Sequence, residues 1–224
     1  MTLLTCTPLY SLPLVLAPMN EDPERTVTEI RGFRIEVEAT LVNAPVGREA
    51  LDLLQSRLLD IERAVPPAAL DKLRTIPIVL DENHKVAPCA CYHVSPEWLR
   101  GAGFDPRLAK KVHLANARNF LDWSREQPWM VLHELAHGWY DLHLENKEPL
   151  RAAHARLRDS GQLDAVLRWS GSTERHYALN NPDEFFAEGT ESWFGVNDYY
   201  PFVRAELQAF DAGWTAAVRT AWGL

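Results

Sequence analysis

Cysteine is scarce in this 224-residue chain: Cys6, Cys89 and Cys91 are the whole supply. Three thiols build no disulfide framework, and the single residue between Cys89 and Cys91 is an awkward span for an unstrained bridge. As a CxC pair they lack the second pair that a thiolate metal site usually brings. Positive charge is short as well, with 23 Lys and Arg against 31 Asp and Glu and a formal net charge of -8. That balance argues against nucleic acid as a partner and gives no reason for binding to an anionic membrane. No apolar run is long enough to span a bilayer, so no transmembrane segment is expected. Internal repeats and low-complexity runs are absent too.

What is present suits a folded enzyme-sized domain. Hydrophobic residues make up 46 % of the chain, enough to bury a core. Residues 9–19 (LYSLPLVLAPM) are apolar, but they include Pro13 and Pro18 and follow no Lys or Arg. A secretory signal wants a basic start. The stretch therefore reads either as a poor or truncated signal, which would point to secretion, or as an arm packed on the domain. Residues 20–29 are polar and contain Pro23, like a linker. The expected plan is an arm or linker over 1–30 and one domain over 31–224.

Within that domain, residues 32–42 alternate as a half-buried strand, with Phe33, Ile35 and Val37 on one side and Arg34, Glu36 and Glu38 on the other. Residues 45–65 carry Leu51, Leu54, Leu58 and Ile61 at helical spacing, and Pro66-Pro67 ends the pattern. A short helix over 68–73, a strand over 76–80, a loop over 81–88 and a strand over 111–115 follow. Beyond residue 128 the pattern predicts helices over 148–159, 164–169, 182–194, 204–210 and 213–222. Strands first and helices later make the class α+β: a small N-terminal sheet with helices, then a mostly helical half, with a cleft between them.

Residues 133–137 read His-Glu-Leu-Ala-His. On a helix, positions four apart share a face, so His133 and His137 can present two imidazoles to one metal ion. Glu134 lies about 100° further round, beside the metal rather than on it. Two neutral nitrogens and a nearby free carboxylate are what zinc-assisted hydrolysis needs. Pro128 suits a first-turn position of this helix.

A catalytic zinc takes three protein ligands, and several residues compete for the third place. His143 has nearly the metzincin spacing, but Tyr140 stands where that motif needs Gly to turn the chain. Cys89 or Cys91 would complete a Cys-His-His set, without the local motif that deformylase-like amidases carry. Glu184, Glu188 and Glu191 fall at i, i+4 and i+7 behind Asn181-Pro182, so three carboxylates share one face of a helix. Like charges at that spacing repel unless they are solvated or face a cation. Glu184 could also be the glutamate of a capping box begun by Asn181. Geometry alone does not choose between Glu184 and Glu188 as ligand.

HExxH followed some tens of residues later by Glu on a second helix resembles the gluzincin arrangement. The run Glu184-Phe-Phe-Ala-Glu188, with Tyr177 seven residues upstream, is similar to the anthrax lethal factor-like metallopeptidases and the related clostridial proline-specific endopeptidases. The likeness is specific from about Trp129 to Phe194. It implies a zincin-like domain in which Glu184 is the third zinc ligand and Glu134 the general base. It also implies that Tyr177 reaches over the metal to the substrate carbonyl oxygen, and that Glu188 accepts a hydrogen bond from a ligand histidine.

The function expected is a Zn2+-dependent endopeptidase acting on a peptide or protein. The alternatives are a catalytically silent module that binds metal or protein, and a metal-dependent amidase on non-peptide amides. Substrate would be held by strand pairing if residues 111–115 form a sheet edge at the cleft, and the tract 116–123 is a candidate cleft wall. The remaining histidines, His84, His93, His113, His154 and His176, have no motif partner and are expected at the surface or in structural roles.

Overall fold

The computed structural model describes residues 22–224. The apolar stretch 9–19 lies outside the described residues. The chain begins in a hairpin, β1 (Arg25–Ile30) and β2 (Phe33–Glu38), turned by Arg31 and Gly32 at φ 54° and 82°. Positive φ at both turn residues is the geometry that matches the twist of a two-residue hairpin. Thus 25–30, expected as linker, is paired residue for residue with β2. Two helices, α1 (Pro45–Ala64) and α2 (Pro67–Leu73), lead to β3 (Ile78–Leu80) and β4 (Ala90–Tyr92). A helix α3 (Pro96–Gly101) and a 3-10 turn (Pro106–Leu108) precede β5 (Val112–Leu114). Next come α4 (Ala117–Trp123), α5 (Met130–Leu142) and α6 (Glu148–Ser160). A two-residue pair, β6 (Val166–Leu167) and β7 (Thr173–Glu174), is followed by α7 (Pro182–Phe194), α8 (Arg204–Phe210) and α9 (Ala212–Ala221). The class is α+β, and no helix of the described residues is long and apolar enough to cross a membrane.

The five-stranded sheet runs β1-β2-β3-β5-β4, with β2, β3 and β5 parallel and β4 antiparallel to β5. Residues 111–115 therefore supply an inner strand, and the edge is β4. Residues 164–169 also differ from expectation. Their apolar spacing imitates a helix, but Val166 and Leu167 pair with Glu174 and Thr173. Pro128 sits one residue ahead of the N-cap Trp129, outside the helix rather than in its first turn.

Period-two alternation splits the sheet into two unlike faces. Ile35, Ile78, Leu80, Val112, Leu114 and Tyr92 belong to the main core, shared with α1 and α5. Val79 points the other way, into a small cluster with Leu99 of α3 and Leu108. The same outer face carries charge: Glu36 accepts from Lys111 Nζ at 2.7 Å, and Asp81 accepts from Arg25 Nε at 2.8 Å.

Helices α5 and α7 pack against each other in the middle of the helical half. Gly138 lets α5 lie close on the sheet, since a methyl there would meet Ile76 Cδ1 at 2.7 Å. Helix α7 is buried from Phe185 to Trp193. Phe185 stacks on Trp214 at 4.4 Å between centroids, and the Trp214 indole fills the space beside Gly189. At the far end, the space a side chain would need at Gly195 is taken by the Trp129 indole. The start of α5 is thereby fixed to the end of α7, and the two helices run antiparallel.

A Cβ at Gly195 would overlap Trp129 Cε2, so a substitution there meets the indole directly. Gly195→Ala should cost about 1–3 kcal/mol, the usual range for overpacking. Much of that loss should be recovered in the Trp129→Ala background, which can be measured by a double-mutant cycle in urea. Additive losses would mean that the contact does not set the helix pair.

Candidate metal centre

His133 and His137 lie one turn apart on α5, with ring centroids 4.9 Å apart. Glu184 stands in the first turn of α7. Asn181 caps that helix by accepting from the N–H groups of Asp183 at 2.9 Å and Glu184 at 2.8 Å. The Glu184 side chain does not close a capping box. Its Oε2 lies 3.1 Å from His133 Nε2 and 3.3 Å from His137 Nε2. Ligands around a tetrahedral ion with bonds of about 2.0–2.1 Å stand about 3.3 Å apart. Both carboxylate–imidazole distances match that spacing and all three donor atoms lie within 4.8 Å of one another, so His133, His137 and Glu184 form a group that could hold a metal ion.

The other face of the His133 ring departs from the sequence expectation. Nδ1 lies 2.7 Å from Glu191 Oε1 and 3.8 Å from Glu188 Oε1. Glu191, not Glu188, is the hydrogen-bonded acceptor. An Nδ1–H donated to Glu191 leaves the Nε2 lone pair facing Glu184 and the metal position. Glu188 sits between His133 and His176, with Oε2 at 3.7 Å from His176 Nδ1 and no hydrogen-bond partner among the described residues. Burial and the neighbouring Glu191 push the Glu188 carboxyl well above the usual carboxylate range, which favours its neutral form.

The remaining competitors lie elsewhere. His143 is the C-cap of α5 and faces Thr75 Oγ1 at 3.4 Å. Cys89 is buried against Met130, with Sγ–Sδ 3.6 Å, and neither cysteine belongs to the His133 group. His93, His113, His154 and His176 are buried rather than at the surface.

Glu134 projects from α5 into a cleft bordered by β4. Burial raises its carboxyl pKa, and the Glu184 charge adds to the rise against the pull of the two imidazoles. Tyr177 starts the 3-10 turn ahead of α7 and is 45 % exposed. Burial and the charge of Glu184 raise its hydroxyl pKa, which keeps the proton available for donation. Two adjoining cavities of about 460 and 280 Å3 share Ala90, His133, Glu134 and Tyr177 in their walls. The cleft therefore extends to both sides of the candidate centre. The tract 116–123 contributes Trp123 to the larger cavity.

Comparison with protein-family models, with curated proteins and with solved structures returns no match for this chain.

Without a cation, burial works against a charged His133, but Glu184 and Glu191 together outweigh it and raise the pKa well above 6.5. A group raised in the folded state stabilises fully below its unfolded pKa, and that contribution is lost as pH climbs through the folded value. The raised Glu188 carboxyl acts in the same sense from about pH 4.5 upward. The melting temperature of chelator-treated protein should fall from about pH 4.5 upward and more steeply beyond about pH 6.5, and the steeper part should be shallower in His133→Gln. A flat profile in both proteins would contradict the charge assignment.

Metal affinity should separate the carboxylates. Glu184→Ala should abolish tight binding, and Glu191→Gln should weaken it about 10–100-fold. Glu188→Gln, at a carboxyl whose neutral form burial favours and which makes no hydrogen bond to a zinc-site histidine, should change it least. Competition titrations against a zinc chelator give the order, and a larger loss for Glu188→Gln than for Glu191→Gln would reverse the assignment.

Proposed function

We propose that this chain is a zinc-dependent endopeptidase with a zincin-like fold, of the gluzincin type, akin to the lethal factor-like and clostridial proline-specific peptidases. The observation that carries the reading is the single Glu184 oxygen facing both Nε2 atoms, with Glu134 beside them in the cleft wall. A third ligand from a second helix leaves room for water and substrate at a fourth position.

His133, His137 and Glu184 would hold the ion, which supplies a water of lowered pKa and a Lewis acid for the carbonyl. Glu134 accepts the proton of the attacking water. Its raised pKa suits it to pass that proton on to the leaving nitrogen. The Tyr177 hydroxyl donates to the oxygen that becomes negative as the peptide carbonyl is attacked. Glu191 keeps the His133 ring in one tautomer and orientation. The pairing edge expected at residues 111–115 moves to β4, whose outer side borders the cavity around Glu134. An extended peptide laid along β4 would make backbone hydrogen bonds there and bring one carbonyl over the centre.

A mixed peptide library incubated with the zinc-loaded chain should be cut, and Glu134→Ala should abolish cutting while retaining zinc. Tyr177→Phe should lower kcat about 10²–10³-fold with KM little changed, as removal of an oxyanion donor does. Turnover of small amides without peptide cleavage would select the amidase alternative. Zinc binding with neither activity would select the silent module.

A further inference from the structure

We propose a second metal site, built from Cys91, His93 and His113 on the outer face of the sheet, that binds a thiolate-preferring cation such as Zn2+. It shares no ligand with the centre on α5 and α7, although Cys91 also borders the cleft that holds that centre.

The sheet register puts these residues together. Cys91 in β4 is the cross-strand partner of His113 in β5, and His93 follows Cys91 by two, so all three project from one face. Tyr92, between them, points to the other face, where its hydroxyl donates to Asp141 of α5 at 2.8 Å. The distances fit ligation. His93 Nε2 lies 3.0 Å from His113 Nδ1 and 3.5 Å from Cys91 Sγ, and the donor atoms all fall within 4.8 Å of one another. For bonds of about 2.05 Å to nitrogen and about 2.3 Å to sulfur, tetrahedral ligands stand about 3.3 Å (N–N) and about 3.6 Å (N–S) apart.

The surroundings also fit. His113 Nε2 lies 2.8 Å from Asp81 Oδ2, and Asp81 is held in turn by Arg25. A buried carboxylate on the far ring nitrogen fixes the tautomer, directs the Nδ1 lone pair inward and makes the imidazole a better ligand. Hydrogen bonding alone satisfies this group poorly. If His93 Nε2–H donates to His113 Nδ1, the Cys91 thiol lies nearest that same protonated Nε2, at 3.5 Å, and its one acceptor in the group is His93 Nδ1 at a long 4.0 Å. A cation would use all three lone pairs and draw the proton from the thiol. A cavity of about 390 Å3, walled by Val86, His93, Val94 and Trp98, adjoins Cys91 and offers an entry path and a fourth position.

Cobalt substitution tests the site, because a thiolate ligand to Co2+ gives a near-ultraviolet charge-transfer band that a His-His-Glu centre cannot give. Full-length wild-type protein titrated with Co2+ should develop this band. It should persist in His137→Ala, Glu184→Ala and Cys89→Ala, and vanish in Cys91→Ser and His113→Ala. Zinc content should fall from about two ions per chain to about one in either set of site variants. Circular dichroism separates loss of the site from loss of the fold, and Cys91→Ser changes one atom if His113→Ala does not fold. Absence of the band in the wild type would leave only a hydrogen-bonded chain from Asp81 to Cys91 and would overturn the proposal. So would a band lost in His137→Ala and kept in His113→Ala. If the α5–α7 centre fails to bind zinc, the band is still expected, so the two readings fail separately.

Discussion

Charge has to balance where α7 crosses α5. Glu184, Glu188 and Glu191 share one helix face, the last two are buried, and opposite them stand two imidazoles and Glu134. An uncompensated ion at such depth costs several kcal/mol. The chain meets this with a Glu188 whose neutral form is favoured by burial, a Glu191 bonded to His133, and a Glu184 shared between two rings. The buried aromatic packing of α7 forces the carboxylates into this space, because Phe185, Phe186 and Trp193 already occupy its other sides. A divalent cation held by His133, His137 and Glu184 would offset this charge, since it would replace the proton of His133 with a charge that Glu184 can meet.

The sheet sets apart two kinds of chemistry with one short strand. One face of β4 gives Tyr92 to the helical core, and the other gives Cys91 to the cluster with His113. The outer face is unusual in burying ionic groups rather than solvating them. Asp81 is fully buried and Glu36 nearly so, neutralised by Arg25 and Lys111 from other elements, and the fully buried His113 hydrogen-bonds Asp81. Arg25 in β1 reaches Asp81 just beyond β3, so an ionic contact adds to the backbone pairing that holds the first strand of the sheet.

Long periodic elements were legible in the sequence. The spacing of α1 and the Asn181-Pro182 start of α7 locate those helices to within a residue, and HExxH announces two ligands because i, i+4 geometry is local. What depends on partners was hidden. Residues 25–30 look like linker because most of their side chains face water. The strand over 90–92 is too short for alternation to register. Residues 164–169 carry helical spacing, but a two-residue ladder wins there. Glu184 as a candidate ligand needed a family resemblance, and Glu191 as the acceptor for His133 needed the antiparallel direction of α7, which matches the early histidine with the late glutamate. Cys91 and His93 are near neighbours in sequence, but His113 joins them only through strand register.

The fit of Trp129 against Gly195 has a consequence for how the α5–α7 centre keeps its shape. Every polar contact among His133, His137, Glu184 and Glu191 changes strength as protons or a cation come and go. An indole seated against bare backbone does not titrate and is not screened by salt. It lies at the end of the helix pair nearest His133 and opposes the sliding of α5 along α7. The spacing of donor atoms is thus governed by a contact indifferent to the ionic state of the groups it aligns, and an empty centre and a filled one can share the same frame.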